Sequence, residues 1–237
     1  MKTSLPRRVT AEFLGTLLLV ATVVGSGIMA ERLASGNVAL ALLANTIATG
    51  AALVALILTF GPISGAHLNP VISVADAVEG GLPWKETPAY IAAQLFGGIC
   101  GTMLAHVMFS LPLVSLSHHI RSGPAQFASE FTATFGLLCV IWGCSRSRCR
   151  LIAFAVGSYI TAAYWFTSST SFANPAVTLA RALSDTFAGI RPNDVPVFIA
   201  AQFVGGIAAT LLFRWLIPNL SSSAQDVVLP HSHQGGG

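Results

Sequence analysis

The sequence predicts an all-α integral membrane protein made of six spanning helices and two re-entrant half-helices, arranged as an inverted repeat. Three observations predict this. Charges are too few to cover a water-facing surface, the chain duplicates itself with three spans per half, and an Asn-Pro pair falls at the same place in each half.

Hydrophobic residues make up 54% of the 237 and charged residues 9%, against about 25% charged in an ordinary soluble domain. The mean hydropathy is +0.72. The apolar residues gather into runs near 10–30, 38–60, 89–113, 127–144, 151–167 and 196–217. Each run approaches or exceeds the roughly 20 residues that cross a hydrocarbon layer about 30 Å thick. Lys2, Arg7 and Arg8 precede the first run, yet Glu12 interrupts its start and the stretch to Ile28 is long for a signal peptide, so it is expected to stay as the first span.

Positive charge sets the expected orientation. With the N-terminus inside, eight basic residues (Lys2, Arg7, Arg8, Lys85, Arg146, Arg148, Arg150, Arg214) lie on the cytoplasmic side and four (Arg32, Arg121, Arg181, Arg191) on the other. Both termini are therefore expected in the cytoplasm. The net charge of +3 reflects this bias and implies no nucleic-acid surface. Cys100, Cys139, Cys144 and Cys149 lack zinc-type spacing and read as packing thiols, and no cofactor or metal is expected.

Residues 90–104 read YIAAQLFGGICGTML and residues 198–212 read FIAAQFVGGIAATLL. Glu12-Phe13 and Glu130-Phe131 recur near the start of each half, and Asn69-Pro70 matches Asn174-Pro175. The halves run over about 7–113 and 125–218 within one unit of 1–220, and residues 221–237 are expected to form a flexible cytoplasmic tail. Three spans per half is an odd number, so the second half enters the membrane upside down. Repeats of this kind place the functional site near the midplane, where the halves meet. Gly97, Gly98, Gly101, Gly205 and Gly206 read as positions where helices approach closely.

Each Asn-Pro lies between the second and third span of its half. Asn is a strong helix cap and Pro suits the first helical position. Pro70–Val78 and 175–183 are nine residues each, about 13 Å of helix, which is half a membrane. The two helix starts then meet head to head at the midplane. Their dipoles and the Asn69 and Asn174 amides would repel cations and orient a neutral hydrogen-bonding solute.

With these residues in place, the chain resembles the aquaporin (major intrinsic protein) family over roughly residues 7–218. Asn69-Pro70-Val71 and Asn174-Pro175-Ala176 match the family's paired signatures, Glu12 and Glu130 its helix-one and helix-four glutamates, and Gln94 and Gln202 its third- and sixth-helix glutamines. The resemblance implies a homotetramer with one pore per subunit. A buried charge costs about 2.5–3.5 kcal/mol on insertion scales. Glu12 and Glu130 could carry protons, but their symmetric placement favours accepting hydrogen bonds from the re-entrant loops, and Gln94 and Gln202 go with them. His67 could line the pore or bond within its loop.

Where water-selective members carry a filter Arg, this chain has Val177; the family's spacing puts the other filter positions at Thr49, Ala162 and Ser171, with the spacing at Ala162 open to a shift and Tyr164 close by. Such a ring is wide and uncharged. The ending STSFANPAV also resembles bacterial members associated with arsenic-resistance gene clusters, which implies a multi-pass inner-membrane protein conducting arsenous acid, a neutral triol. A glycerol or water facilitator is the alternative within the class, and an ion-coupled secondary transporter the alternative outside it. No HExxH or GxSxG sequence suggests an enzyme. Arg181 and Asp76 each lie seven residues after their Asn. Arg181 would either reach the outer vestibule or pin its half-helix to a neighbour, with Asp76 at the inner mouth.

Overall fold

A computed structural model describes residues 3–146 and 151–217. The expectations for Lys2, Arg148, Cys149, Arg150 and the 221–237 tail lie outside the described residues. The helices are α1 (Leu5–Leu33), α2 (Val38–Ser64), α3 (Pro70–Val78), α4 (Thr87–Met108), α5 (Pro124–Arg146), α6 (Ile152–Phe166), α7 (Pro175–Arg181) and α8 (Val195–Leu216). The helices α1, α2, α4, α5 and α8 are long and apolar enough to cross a membrane. The fifth expected span is shorter than its apolar run, because α6 has 15 described residues. The third apolar run also ends early, at Met108, and the chain continues without regular structure to α5.

Contacts between distant residues define two faces. On the face where α1 begins, Arg8 meets Glu86 at 2.7 Å and Arg214 meets Glu79. On the other, the Arg32 guanidinium donates to the Phe109 carbonyl and the Arg191 N–H donates to the His119 carbonyl. The polypeptide therefore alternates between faces, and α3 and α7 each return to the face from which their loop descended.

Glycine governs how the halves are assembled. A methyl group on Gly97 or Gly101 would overlap the carbonyl of Phe13 or Leu17 across the α1–α4 seam, and one on Gly205 would overlap the Phe131 carbonyl across the α5–α8 seam. Without a side chain these helices approach to backbone contact, the arrangement that drives association where lipid offers no hydrophobic gain. A third contact joins the halves: α2 and α6 cross where Gly50 and Gly157 face each other, an added carbon on Gly157 standing 2.8 Å from the Gly50 carbonyl oxygen. Repeat matching does not bring out this pair, since Gly50 and Gly157 sit in apolar runs with little sequence likeness.

The second half-helix is seven residues long, Pro175–Arg181, where nine were expected. The Ala182 and Leu183 N–H groups bond to Leu179 and Ala180, tightening the last turn. Their own carbonyls accept from the N–H groups of Ser117 and Ser115 in the long connection before α5, which ties this turn to that connection.

Candidate pore site

Two re-entrant loops, 65–69 and 170–174, carry the site, and their backbones match. Gly65, Ala66 and Leu68 have φ of 90°, 46° and 50°, while Thr170, Ser171 and Ala173 have 60°, 49° and 49°. Five of these six are not glycine, and left-handed backbone at such residues costs on the order of 1–3 kcal/mol each, so the surroundings must hold it.

The glutamates do this. Glu12 accepts from the N–H of His67 (3.0 Å) and Leu68 (2.7 Å), from Ser64 Oγ (2.7 Å) and from Gln94 Nε2 (2.8 Å). Glu130 accepts from the N–H of Phe172 and Ala173, both at 2.9 Å, and from Gln202 Nε2 at 2.6 Å. Each glutamine donates a second bond one turn into the half-helix, Gln94 to Ser73 Oγ and Gln202 to Thr178 Oγ1, both at 2.9 Å. All four acidic and amide side chains are fully buried. Ser73 and Thr178 complete the pattern four residues after each Asn, and only the fold reveals their part in it.

This pinning determines what the loops offer to a solute. In a trans peptide the N–H of one residue points opposite to the carbonyl before it, and no peptide bond here is cis. The N–H groups of His67 and Leu68 point to Glu12, so the Ala66 and His67 carbonyls point away from it. The Ser171 and Phe172 carbonyls do likewise in the other half. The same residues line a cavity that also reaches Asn69, Asn174, Thr49, Tyr164, Val177 and Arg181.

The two half-helices meet at their caps. Asn69 Oδ1 accepts from Val71 N–H at 3.0 Å, and Asn174 Oδ1 accepts from the N–H of Ala176 (2.9 Å) and Val177 (3.3 Å). Each amide nitrogen donates across the junction, Asn69 to the Ala173 carbonyl (2.8 Å) and Asn174 to the Leu68 carbonyl (2.7 Å). An amide nitrogen has two N–H bonds. One of each pair therefore locks the loops together, and one is left for the cavity. Pro70 and Pro175 occupy the first helical turn. Val71, larger than the alanine at the matching position 176, finds room because Gly206 opposite it has no side chain.

The ring above the Asn residues needs one correction. Thr49, Ser171 and Val177 line the cavity, but Ala162 is exposed on the outer side of α6. Tyr164, two residues on, faces inward together with Ile160 one turn before it, and its hydroxyl lies 3.3 Å from Thr49 Oγ1. On a helix, two residues turn the direction by about 200°, so a small slip in spacing exchanges the lipid face for the pore face. Ser171 Oγ is buried without a partner. Below the Asn pair, His67 both lines the cavity and bonds within its loop: Nδ1 lies 3.1 Å from Ser73 Oγ and Nε2 lies 3.4 Å from Asp76 Oδ2. Asp76 is buried behind it on α3. Arg181 is buried, donates from Nε to the Ala188 carbonyl, and lies over the Phe172 ring. Its Nε is thus held by the loop that follows its own half-helix, while the residue also lines the cavity.

The site is two half-helices capped head to head, with glutamate-pinned loops presenting carbonyls and amides to a shared cavity. The sequence profile of the major intrinsic protein family matches residues 1–151 and again 145–236. The chain belongs to the major intrinsic protein family. Over 213 residues it is 54% identical to Aquaglyceroporin AqpS of Rhizobium meliloti (strain 1021), covering 90% of this chain and 91% of that protein. It is 30% identical to the probable aquaporin NIP7-1 of Arabidopsis thaliana, over 88% of this chain and 76% of the relative. Among solved structures, the aquaglyceroporin from Plasmodium falciparum superposes with a TM-score of 0.73 at 21% identity, covering 92% of this chain and all of the other, a likeness of fold. This member of the family is a passive membrane channel, not an enzyme.

Proposed function

We propose that this member of the family is an aquaglyceroporin-type pore whose principal solute is arsenous acid, with related small polyols also passing. The observation that carries this reading is Val177. Where a guanidinium would cross the outer pore, a buried valine lines the cavity beside the hydroxyls of Thr49, Tyr164 and Ser171. An uncharged triol can exchange its water shell for those hydroxyls, the loop carbonyls and the Asn69 and Asn174 amides. A bare cation meets the two half-helix dipoles instead. The likeness to an aquaglyceroporin over nine-tenths of both chains supports the solute class. Tyr164 fills the place first given to Ala162, so one wall of the ring is bulkier than a Thr-Ala-Ser-Val ring would be. A glycerol facilitator is the second reading, since glycerol presents the same three hydroxyls.

The same proposal places the protein in the bacterial inner membrane as a homotetramer, both termini cytoplasmic, with 1–220 as one channel-forming unit. Stopped-flow light scattering of proteoliposomes with glycerol and urea, together with arsenous acid uptake, tests the solute. The parent protein should take up arsenous acid in proportion to its gradient and without sodium or a proton gradient. Val177→Arg should lower arsenous acid and glycerol uptake while sparing water. Equal uptake by parent and variant would remove position 177 from the filter, and saturable, ion-coupled uptake would point to a transporter.

A further inference from the structure

We propose that Arg181, one helical turn beyond Val177, is the filter's charged donor, offering paired N–H bonds to solutes that carry two neighbouring oxygens. The proposal rests on the pore reading above and adds to it a residue that determines specificity.

Arg181 is only 2% exposed, and it borders the same cavity as Thr49, Tyr164, Ser171 and Val177. Its Nε donates to the Ala188 carbonyl, and its guanidinium carbon sits 3.3 Å from the centre of the Phe172 ring. Among the described residues no carboxylate pairs with it, and its two terminal nitrogens donate to no protein group. Four N–H bonds are therefore unspent. A buried guanidinium in that condition is costly unless water or a solute in the cavity accepts from it.

A second, independent observation lies on the same wall. Ser171 Oγ is buried, borders the cavity and has no partner. Arg181 and Ser171 border one cavity. Residues 177 and 181 are four apart, which puts them on one side of α7, and a valine at 177 leaves the approach to the guanidinium open. The Nε bond and the ring beneath fix the fork's plane, so little freedom is lost when a solute binds. Parallel N–H bonds select geminal or vicinal oxygens, the arrangement in arsenous acid and in glycerol. Arg121 adds charge at the same mouth: its guanidinium is 5.0 Å from the Phe172 ring centre, and its own donors go to the Gly189 and Ser169 carbonyls.

The test compares full-length parent, Arg181→Gln and Arg181→Lys in liposomes, with water and glycerol permeability expressed per folded channel and melting followed in detergent. The glycerol-to-water ratio should fall about tenfold in Arg181→Gln, equal to about 1.4 kcal/mol for the lost charge-assisted bond. Arg181→Lys, which keeps the charge and loses the paired donors, should fall partway. If the Gln variant does not fold, the Lys variant decides. A parent-like ratio in the folded variants overturns the proposal, and a lowered melting point with an unchanged ratio makes Arg181 a structural pin. Parent vesicles that pass neither water nor glycerol faster than protein-free ones would instead sink the pore reading itself.

Discussion

Exchanging Glu130 for Gln removes one charge and leaves the shape of the side chain nearly intact, so it isolates what the carboxylate does for the second re-entrant loop. Three donors converge on it: Phe172 N–H on Oε1, with Ala173 N–H and Gln202 Nε2 on Oε2. The best orientation of the new amide keeps its oxygen where two donors meet and turns its NH2 toward the Phe172 N–H. That buried donor is then unsatisfied, costing about 1–3 kcal/mol, and the other two bonds lose their charge assistance, about 1 kcal/mol each. Relief from burying a carboxylate does not offset this, because α5 carries the same charge into the membrane before the helices pack. The expected loss is therefore about 3 kcal/mol or more. Unfolding in increasing denaturing detergent measures it, and solute flux per folded channel shows whether the loop has relaxed. Glu12→Gln should cost as much or more, since four donors meet Glu12. A parent-like unfolding midpoint and unchanged selectivity in Glu130→Gln would refute the view that the carboxylate holds the left-handed loop.

Three further outcomes are expected. Gly205→Ala places a carbon on the Phe131 carbonyl and should cost about 1–3 kcal/mol by overpacking; Gly143→Ala, where an added carbon would meet only the Phe213 ring at 3.8 Å, should melt like the parent. Replacing Asn69 and Asn174 together with Asp sets carboxylates against the Ala173 and Leu68 carbonyls, so planar-bilayer recordings should show a cation leak alongside a lower melting point; a variant that folds, passes solute and stays electrically silent would place cation exclusion elsewhere. His119 is held below the usual imidazole pKa by burial and then by the charge of Arg121. Its folded form favours the neutral ring, so stability is full above about pH 6.5 and declines as the pH falls through the lowered value. The melting point of His119→Asn should depend less on pH between 7 and 5, and an identical dependence would dismiss His119 as the titrating group.

Much of this architecture is legible in the residues because the membrane leaves few alternatives. A run of apolar residues long enough to cross must be a helix, since unsatisfied backbone is too costly in lipid. Asn followed by Pro marks a helix start in any setting, and α3 begins and ends where the spacing places it. The duplication pairs Glu12 with Glu130 and Gln94 with Gln202 before any coordinates, because polar residues in register within apolar sequence have a common task. Less legible is any property that depends on rotation about a helix axis or on chain reversal. Ala162 and Tyr164 differ by two positions, and their own sequence does not say which faces inward.

The sequence by itself determined the class of the protein, its inverted repeat and the two capped half-helices, because these follow from local chemistry that repeats along the chain. Only the tertiary structure decided that Tyr164 and not Ala162 faces the cavity, that α7 stops at Arg181, and that Gly50 meets Gly157. It also decided that Arg181 borders the cavity with Nε held by the Ala188 carbonyl and the Phe172 ring beneath. The physical reason is common to all four. Each depends on which atoms of distant segments share one small space, and spacing along a chain does not encode the angle at which two segments meet.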